Sequence, residues 1–191
     1  MEVDGRHMSS KTAPLRPRGL DARTATYSLI GAALYGLLGL FVLTLGALVI
    51  RPGFALVPFF GYSFGPLAGF TTGFVGQAVA EGIGGVAPAE SWARDLACGL
   101  AGLVAGLASW YVPRLMRGTL VRRALGGGIA GIVGSAIGGL ALFLQNSGGS
   151  GFGAILTGTY LPITLGNALV ALVLVPALVY AWDPLSESIA G

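Results

Sequence analysis

Few polar side chains in this chain could bind a ligand, and they stand at the ends of long apolar segments. Gln77 and Glu81 are one helical turn apart, and Arg51 stands alone before Pro52. Ionisable residues inside an apolar helical bundle are functional candidates by default. Arg51 could pin a carboxylate, a phosphate or a polar ring edge, brace a neighbouring loop, or reach toward lipid headgroups. Glu81 could instead already lie at the water interface.

A second polar set opens the last apolar segment. Tyr160, Thr164 and Asn167 follow at steps of four and three, so they share one face of a helix. Gln145 and Asn146 end the preceding segment, next to a glycine-rich loop. Amides and hydroxyls in an apolar, aromatic-lined pocket suit a neutral heterocycle that needs a few placed hydrogen bonds. The alternative is hydrogen bonding between helices, worth about 0.6 kcal/mol on average.

A third cluster, Trp92, Arg94 and Asp95, stands at the predicted start of the fourth helix. Trp92 is a ligand candidate or an interfacial anchor, and Asp95 could be a favourable charge in a first helical turn. Metal chemistry is disfavoured, because His7 and Cys98 are the single residues of their types. No P-loop motif is present, and a general base is hard to find. The sequence predicts a binding protein rather than an enzyme.

The composition indicates a membrane protein. Of 191 residues, 54% are hydrophobic and 10% are charged, whereas soluble domains carry about a quarter charged residues. Arg51 is the only charge between Thr24 and Ala80, and Ala124 to Ala181 contains none. Such runs are typical of membrane spans. The net charge of +3 does not indicate nucleic-acid binding, because the basic residues flank apolar segments instead of forming one patch.

Four spans are predicted at residues 27–50, 95–112, 121–144 and 160–182. Residues 53–80 are harder, because a straight helix of this length would measure about 42 Å against a hydrocarbon core of about 30 Å. Two basic segments, the N-terminal tail and the loop with Arg114, Arg117, Arg122 and Arg123, should share the cytoplasmic side. An even number of crossings must then separate them. We therefore predict a short span at 54–62, a turn near Gly65 and Pro66, and a full span at 67–83.

The resulting fold class is an all-α membrane protein with six transmembrane helices, one of them short and irregular. Short backbone segments at membrane depth are tolerated where protein surrounds them or where they line a cavity. Residues 1–24 are predicted to be a polar cytoplasmic tail, residues 25–183 the six-helix domain and residues 184–191 a short cytoplasmic tail. The sequence leaves open whether part of the first tail is a cloning remnant. The predicted location is the plasma membrane, with multiple spans and both termini cytoplasmic.

Glycine spacing predicts close helix packing. Small residues four apart let helix backbones approach each other, and the pairs are Gly102–Gly106, Gly127–Gly131 and Gly134–Gly138. A narrower stripe on the first helix comprises Ala25, Ala32, Gly36, Gly39 and Gly46. Spacing alone leaves open whether this stripe packs inside the bundle or against another subunit.

Longer motifs connect the chain to a known family. Residues 30–37 read IGAALYGL, and residues 51–73 read RPGFALVPFFGYSFGPLAGFTTG, followed by FVGQAVAEG. This pattern resembles the S components, the substrate-capture subunits, of energy-coupling factor (ECF) transporters, and most closely the riboflavin-type group. The resemblance is strong over residues 27–110. Where that family often has Asn and Asp, this chain has Gln77 and Glu81. Each side chain is one methylene longer, so the ligand that fits here could differ from that of the family.

The resemblance implies a membrane subunit that captures a vitamin, with riboflavin the first choice, in a pocket near the outer face. It implies partnership with a transmembrane coupling subunit and two ATPase subunits, which alone would bind ATP, and it implies no cofactor. The coupling subunit would dock on small residues of helix one. The predicted substrate-binding residues are Arg51, Gln77, Glu81, Trp92, Asn146, Tyr160, Thr164 and Asn167. The implied partner-interface residues are Ala32, Ala33, Gly36 and Gly39. A solitary transporter or facilitator, and a non-binding accessory subunit of similar fold, are the alternatives.

Overall fold

The computed structural model describes residues 22–112, 119–145 and 151–190, which are almost entirely helical. The elements are α1 (Ala22–Leu38), β1 (Leu43–Leu45), β2 (Leu48–Ile50), a 3-10 turn (Pro52–Ala55), α2 (Leu56–Phe64), α3 (Pro66–Ile83), α4 (Pro88–Tyr111), α5 (Leu120–Gly139), α6 (Leu142–Gln145), α7 (Phe152–Ile155), a π-helical turn (Leu156–Tyr160) and α8 (Leu161–Ala190). The predicted all-α class is confirmed, and the six predicted helices correspond to α1–α5 and α8. Asn146 lies outside the described residues.

The first helix is shorter than predicted. We expected it to run to residue 50, but α1 ends at Leu38 and the chain then forms a β-hairpin. The strands pair Leu43 with Ile50, and Gly46 turns between them at a φ of 60°. Residues 40–50 are uniformly apolar apart from Thr44 and Gly46, so hydrophobic periodicity could not separate strand from helix, whereas a glycine in a two-residue turn favours a hairpin. Arg51 therefore follows a strand and does not end a helix.

The segment that was hard to assign folds as two helices. Gly65, at a φ of 107°, ends the first helix, and Pro66 begins α3. Proline is favoured in the first turn of a helix, so its position here is expected. The predicted short helix and full helix are thus both present. The nine residues of α2 are mostly buried and pack against α3, α4, α5 and α8. A helix of this length is about 13 Å long, and the surrounding protein covers it.

Glycines bring the helices into backbone contact, as their spacing predicted. A Cβ atom on Gly61 or Gly69 would collide with the carbonyl of Gly102 on α4. Gly134 and Gly138 of α5 approach the backbone of α4 in the same way. Any larger residue at these positions would force the helices apart. These contacts join α2, α3, α4 and α5 into one bundle.

The small residues of α1 mostly face the interior of this chain. Ala32, Gly36 and Gly39 are buried, and a Cβ atom on Gly36 or Gly39 would meet α3 at Val79 or Ala80. Of the four residues assigned to a subunit interface, only Ala33 is exposed. Ala32, Gly36 and Gly39 thus pack on α3 within this chain, and the role of the four residues in a subunit interface stays a prediction.

Two helical segments among the described residues are long and apolar enough to cross a membrane, Leu120–Leu144 and Phe152–Asp183, and Thr24–Leu38 is a shorter apolar helix. Helix α4 begins at Pro88, seven residues before its predicted start, and therefore includes the charged residues Glu90 and Arg94 in addition to Asp95. Glu90, and not Asp95, occupies its first turn. The six-span topology stays a prediction.

Candidate functional site

A cavity lies at one end of the bundle, where α1 and α3 end and where α4 and α8 begin. The space between its atoms, counted out to the mouth, is ≈ 450 Å³. Its walls are largely apolar: Tyr35 and Phe54 contribute aromatic rings, and Ala97, Leu142 and Ile163 contribute aliphatic surface. Strand β2 packs on α8 beside this cavity, and a Cβ atom on Gly166 would collide with the carbonyl of Val49. We call this region the cavity end.

Two polar side chains of α8 line the cavity. Thr164 and Asn167 line it and are each 8% exposed. Neither Thr164 Oγ1 nor Asn167 Oδ1 has a hydrogen-bond partner in the described part of the chain. A buried polar atom left unpaired costs about 1–3 kcal/mol. Such a cost is understandable where a ligand supplies the missing hydrogen bonds. Ser135, also in the wall, differs because it donates to the Ile132 carbonyl at 2.8 Å.

Gln77 is held by a chain of hydrogen bonds across α1, α3 and α4. The Tyr35 hydroxyl donates to Gln77 Oε1 at 2.5 Å, and Gln77 Nε2 donates to Glu81 Oε1 at 2.7 Å. The Cys98 thiol makes a longer contact of 3.6 Å with the same amide oxygen. The amide of Gln77 is fully buried, and both its oxygen and its nitrogen have partners. Its orientation is thus set by its neighbours before any ligand arrives.

Glu81 joins two arginines at the mouth. Arg94 Nε and Nη2 donate to the two carboxylate oxygens of Glu81 at 3.0 and 3.2 Å, a two-point contact that fixes geometry. Arg51 Nη1 lies 3.7 Å from Glu81 Oε1, which is a looser ion pair. The Glu81 side chain is 9% exposed, and those of Arg51 and Arg94 are 25% and 32% exposed. Two guanidinium groups therefore share one carboxylate.

The predicted site residues differ in where the structure places them relative to the cavity. Arg51, Gln77, Thr164 and Asn167 line the cavity together, and their role as ligand contacts stays a prediction. Glu81 lies behind this wall, on the side of a neighbouring cavity. Asn146 lies outside the described residues.

Two other predicted residues do not line the cavity. The Tyr160 hydroxyl donates to the Ala136 carbonyl at 3.0 Å, and its ring packs on Phe143 with centroids 5.5 Å apart. Tyr160 therefore supports the wall from behind. Trp92 is 41% exposed on α4, and the structure does not bring it to the cavity. Its role as a ligand contact stays a prediction.

Sequence reasoning omitted several wall residues from its binding set, chiefly Tyr35, Phe54, Arg94 and Cys98. A signal existed for two of them: Arg94 and Cys98 are one turn apart, so they share a face of α4. Tyr35 could have been identified because its hydroxyl lies on the same apolar face of α1 as Ala32 and Gly36. The structure places this face against α3. Nothing in the sequence distinguishes Phe54 from its apolar neighbours as a wall residue.

The opposite end of the bundle is closed by rings and an ion pair, and we call it the aromatic end. Tyr27 stacks on Phe64 at 4.3 Å, and Phe64 contacts Trp182 edge-on at 5.3 Å. Arg123 of α5 pairs with Asp183 of α8 through an N–O distance of 2.6 Å. These contacts connect α1, α2, α5 and α8 at the end remote from the cavity.

Three comparisons with known proteins complete the description. The family model described as "ECF-type riboflavin transporter, S component" matches residues 20–183. The search of curated proteins finds no match, and neither does the search of solved structures. The match covers both the cavity end and the aromatic end.

Proposed function

The chain belongs to the family of S components of ECF-type riboflavin transporters, and from this premise we propose that it captures riboflavin or a close flavin relative for import. S components are membrane-embedded substrate-binding subunits of ECF transporters, and their function is transport rather than catalysis. We also propose that the chain works in an ATP-driven complex, and that it crosses the membrane six times with both termini in the cytoplasm.

One observation carries the proposed ligand class: Thr164 and Asn167 place unpartnered polar atoms in a cavity with aromatic and aliphatic walls. A flavin ring is flat and largely apolar, and its edge carries an N–H group between two carbonyls. The side chain of Asn167 offers both an acceptor and donors, and the Thr164 hydroxyl offers either. Such an edge can satisfy both residues, while Tyr35 and Phe54 contact the ring. The cavity thus has the mixture of apolar surface and few polar groups that small-molecule sites use.

The energy for import must come from partner subunits under this proposal. The whole sequence contains no GxxxxGK[ST] motif, so the phosphate-cradling loop of a P-loop ATPase is missing from it. We propose that a transmembrane coupling subunit and two ATPases supply the power stroke. The docking face on α1 would be its exposed side, where Ala33 lies between Leu29 and Leu37, because Ala32 and Gly36 are occupied by α3.

Binding is tested directly with the purified full-length chain in detergent. Riboflavin fluorescence should be quenched saturably, with one ligand bound per chain, and native mass spectrometry should detect the same complex. Saturable binding of a chemically different molecule, with no response to any flavin, would overturn the flavin assignment.

Transport is tested in liposomes. The chain alone should bind riboflavin without accumulating it, and addition of the coupling and ATPase subunits should give ATP-dependent uptake. Uptake by liposomes that contain only this chain would instead identify a solitary transporter. There are two matched controls. One is a preparation of empty vesicles, and the other contains the coupling and ATPase subunits without this chain.

A further inference from the structure

The β-hairpin formed by β1 and β2 has one face of large aliphatic side chains. Residues directly opposite each other in antiparallel strands project from the same face, and the register pairs Leu43 with Ile50 and Leu45 with Leu48. Alternate residues of a strand also point the same way, so these four side chains share one face. Thr44, the only polar residue of the two strands, projects from the opposite face.

The outer strand of this hairpin leaves its apolar side chains uncovered. Leu43 is 56% exposed and Leu45 is 64% exposed, and Phe41, just before β1, is 66% exposed. The chain carries no charge between Thr24 and Arg51. A contiguous exposed apolar patch of this kind marks a contact with a membrane or with another protein. The hairpin therefore needs an apolar neighbour that the described part of the chain does not supply.

The level of the hairpin along the bundle follows from its contact with α8. Strand β2 lies on Gly166, and Trp182 belongs to the aromatic end of the same helix. Gly166 precedes Trp182 by 16 residues, which corresponds to about 24 Å of helix. Tryptophan favours the boundary between membrane and water, and the hydrocarbon core is about 30 Å thick. With Trp182 at one boundary, the hairpin contact lies about 6 Å inside the other.

Helix α5 gives the same level independently. Its Arg123 belongs to the aromatic end, and Gly139 lies against Thr164 of α8 at the cavity end. Arg123 and Gly139 are also 16 residues apart, again about 24 Å. Leu165 of α8, next to the contact residue Gly166, is 51% exposed. The exposed apolar surface of α8 thus extends to the level of the hairpin.

We propose that the hairpin is a membrane anchor whose apolar face contacts the acyl chains of the outer leaflet, close to the headgroups. The inference rests on the proposed function only for the membrane topology that it includes. Among the described residues, β1 pairs with β2 alone, so its other edge is open. An open edge is not tolerated in hydrocarbon, because its N–H and C=O groups would have no partner. The edge therefore faces headgroups and water, while Leu43 and Leu45 reach into the acyl chains.

Lipid fits this face better than a protein partner does. A protein docking surface surrounds its apolar centre with a polar rim that forms hydrogen bonds. Residues 40–45 read LFVLTL, so Thr44 is the only polar side chain there, and it projects from the other face. Acyl chains carry no polar groups and need no such rim. The absence of charge, which would weaken a protein interface, is what a lipid contact requires.

The test places nitroxide spin labels on single cysteines of the full-length chain in phosphatidylcholine nanodiscs. The background is Cys98→Ser, because Cys98 is the only cysteine. Labels at Leu43→Cys and Leu45→Cys report on the apolar face. Leu172→Cys, 53% exposed on α8, is the control for lipid, and Ala89→Cys, exposed in the first turn of α4, is the control for water. Power saturation compares collisions with oxygen, which concentrates in hydrocarbon, and with a polar nickel chelate.

The expected pattern alternates along β1. The ratio of oxygen to nickel accessibility at Leu43 and Leu45 should be about tenfold higher than at Ala89, because a polar chelate is excluded from hydrocarbon. A label at Thr44→Cys, on the opposite face, should give a ratio close to that of Ala89. Leu172, near the middle of the bilayer, should give the highest ratio.

A second measurement uses the wild-type chain and does not depend on how the variants fold. Nanodiscs are prepared with a phosphatidylcholine that carries a photoactivatable diazirine near the start of one acyl chain. After illumination, mass spectrometry should find lipid adducts on residues 40–45 and on the exposed side of α8. Residues 84–90, which lie beyond the end of α3, should carry few adducts and are the internal control.

The outcomes distinguish the anchor from the function on which it rests. If the Leu172 label is as accessible to nickel as the Ala89 label, the membrane topology and the proposed function fail. If Leu172 behaves as expected but Leu43 and Leu45 favour nickel, the hairpin lies in water and the anchor is overturned. Low accessibility to both reagents at Leu43 and Leu45, without lipid adducts, would show that protein covers the face, which also overturns the anchor.

Discussion

The cavity end and the aromatic end of the bundle use polar groups in opposite ways. At the aromatic end, Arg123 meets Asp183 at 2.6 Å, and Phe64 contacts four other rings. At the cavity end, Thr164 Oγ1 and Asn167 Oδ1 are buried with no partner in the described ranges. A polar group with its partner in place contributes to stability, whereas one without a partner costs stability until a ligand arrives. The difference favours a stabilising role for the aromatic end and, under the proposed function, a binding role for the cavity end.

The hydrogen-bond network at the cavity end lies between these extremes. Tyr35, Gln77 and Glu81 are satisfied among themselves, yet Gln77 borders the unsatisfied pair of α8. Networks of this kind set the geometry of a site without contacting all of the ligand.

The largest effect is expected for Asn167→Leu, which replaces a side chain whose buried amide oxygen has no partner among the described residues by an apolar one of similar size. Riboflavin affinity should fall about 30- to 100-fold, since two hydrogen bonds are lost and the ligand edge is left unpaired. The thermal midpoint of the ligand-free chain should stay the same or rise, because a buried unsatisfied group disappears. Fluorescence titration and thermal unfolding measure the two quantities. A large fall in ligand-free stability would show that Asn167 serves the fold.

The second effect concerns Gly166, which lets strand β2 lie on α8. In Gly166→Ala the new methyl group collides with the Val49 carbonyl, so the hairpin must shift away from the cavity. Forced packing of this kind costs about 1–3 kcal/mol, and riboflavin affinity should fall about tenfold. Gly158→Ala is the control, because a Cβ atom there meets open space. Equal affinities for the two variants would contradict a contribution of the hairpin to binding.

The third effect belongs to the aromatic end. Asp183→Asn leaves Arg123 without its ionised partner, and the unfolding free energy should fall by about 1–2 kcal/mol, less than for a fully buried pair because both side chains retain some exposure. Riboflavin affinity of the folded protein should not change. A double variant with Arg123→Gln should recover part of the loss. If ligand affinity fell with stability in proportion, the division between the two ends would be wrong.

The smallest effect is expected for Tyr35→Phe. The variant removes the hydroxyl that donates to Gln77 Oε1 at 2.5 Å, and the amide can then rotate. We expect riboflavin affinity to fall about fivefold, because one neutral hydrogen bond of about 1 kcal/mol is lost and only indirectly. Tyr180→Phe on the exposed side of α8 is the matched control. A loss as large as that of Asn167→Leu would place the Tyr35 hydroxyl in direct contact with the ligand.

Much of the helical framework was predictable because its signals are local. Gly65 followed by Pro66 marks a helix break wherever the two residues occur, and the structure breaks there. Glycines four apart predict close helix contact, and Gly102 makes it. Thr164 and Asn167 were predicted to share a helix face because a spacing of three is sufficient for that.

The remaining features depend on contacts between distant residues. An apolar sequence from Leu40 to Ile50 is compatible with helix or hairpin, and packing of β2 on Gly166 of α8 accompanies the hairpin. Whether Ala32 and Gly36 face a partner or α3 depends on how α1 is rotated, which spacing does not specify. The position of Trp92 depended on the start of α4.

By itself, the sequence determined the membrane class, the helix order and the polar residues that could meet a ligand, because hydrophobicity, charge and helix-breaking residues act locally. Only the tertiary structure decided which of those polar residues have partners. Gln77 and Glu81 are satisfied by Tyr35, Arg51 and Arg94, each at least 13 residues away along the chain. Thr164 Oγ1 and Asn167 Oδ1 have no partner in the described part of the chain. Whether a polar group has a hydrogen-bond partner depends on neighbours that only the folded chain brings together, so the sequence alone could not distinguish the two sets.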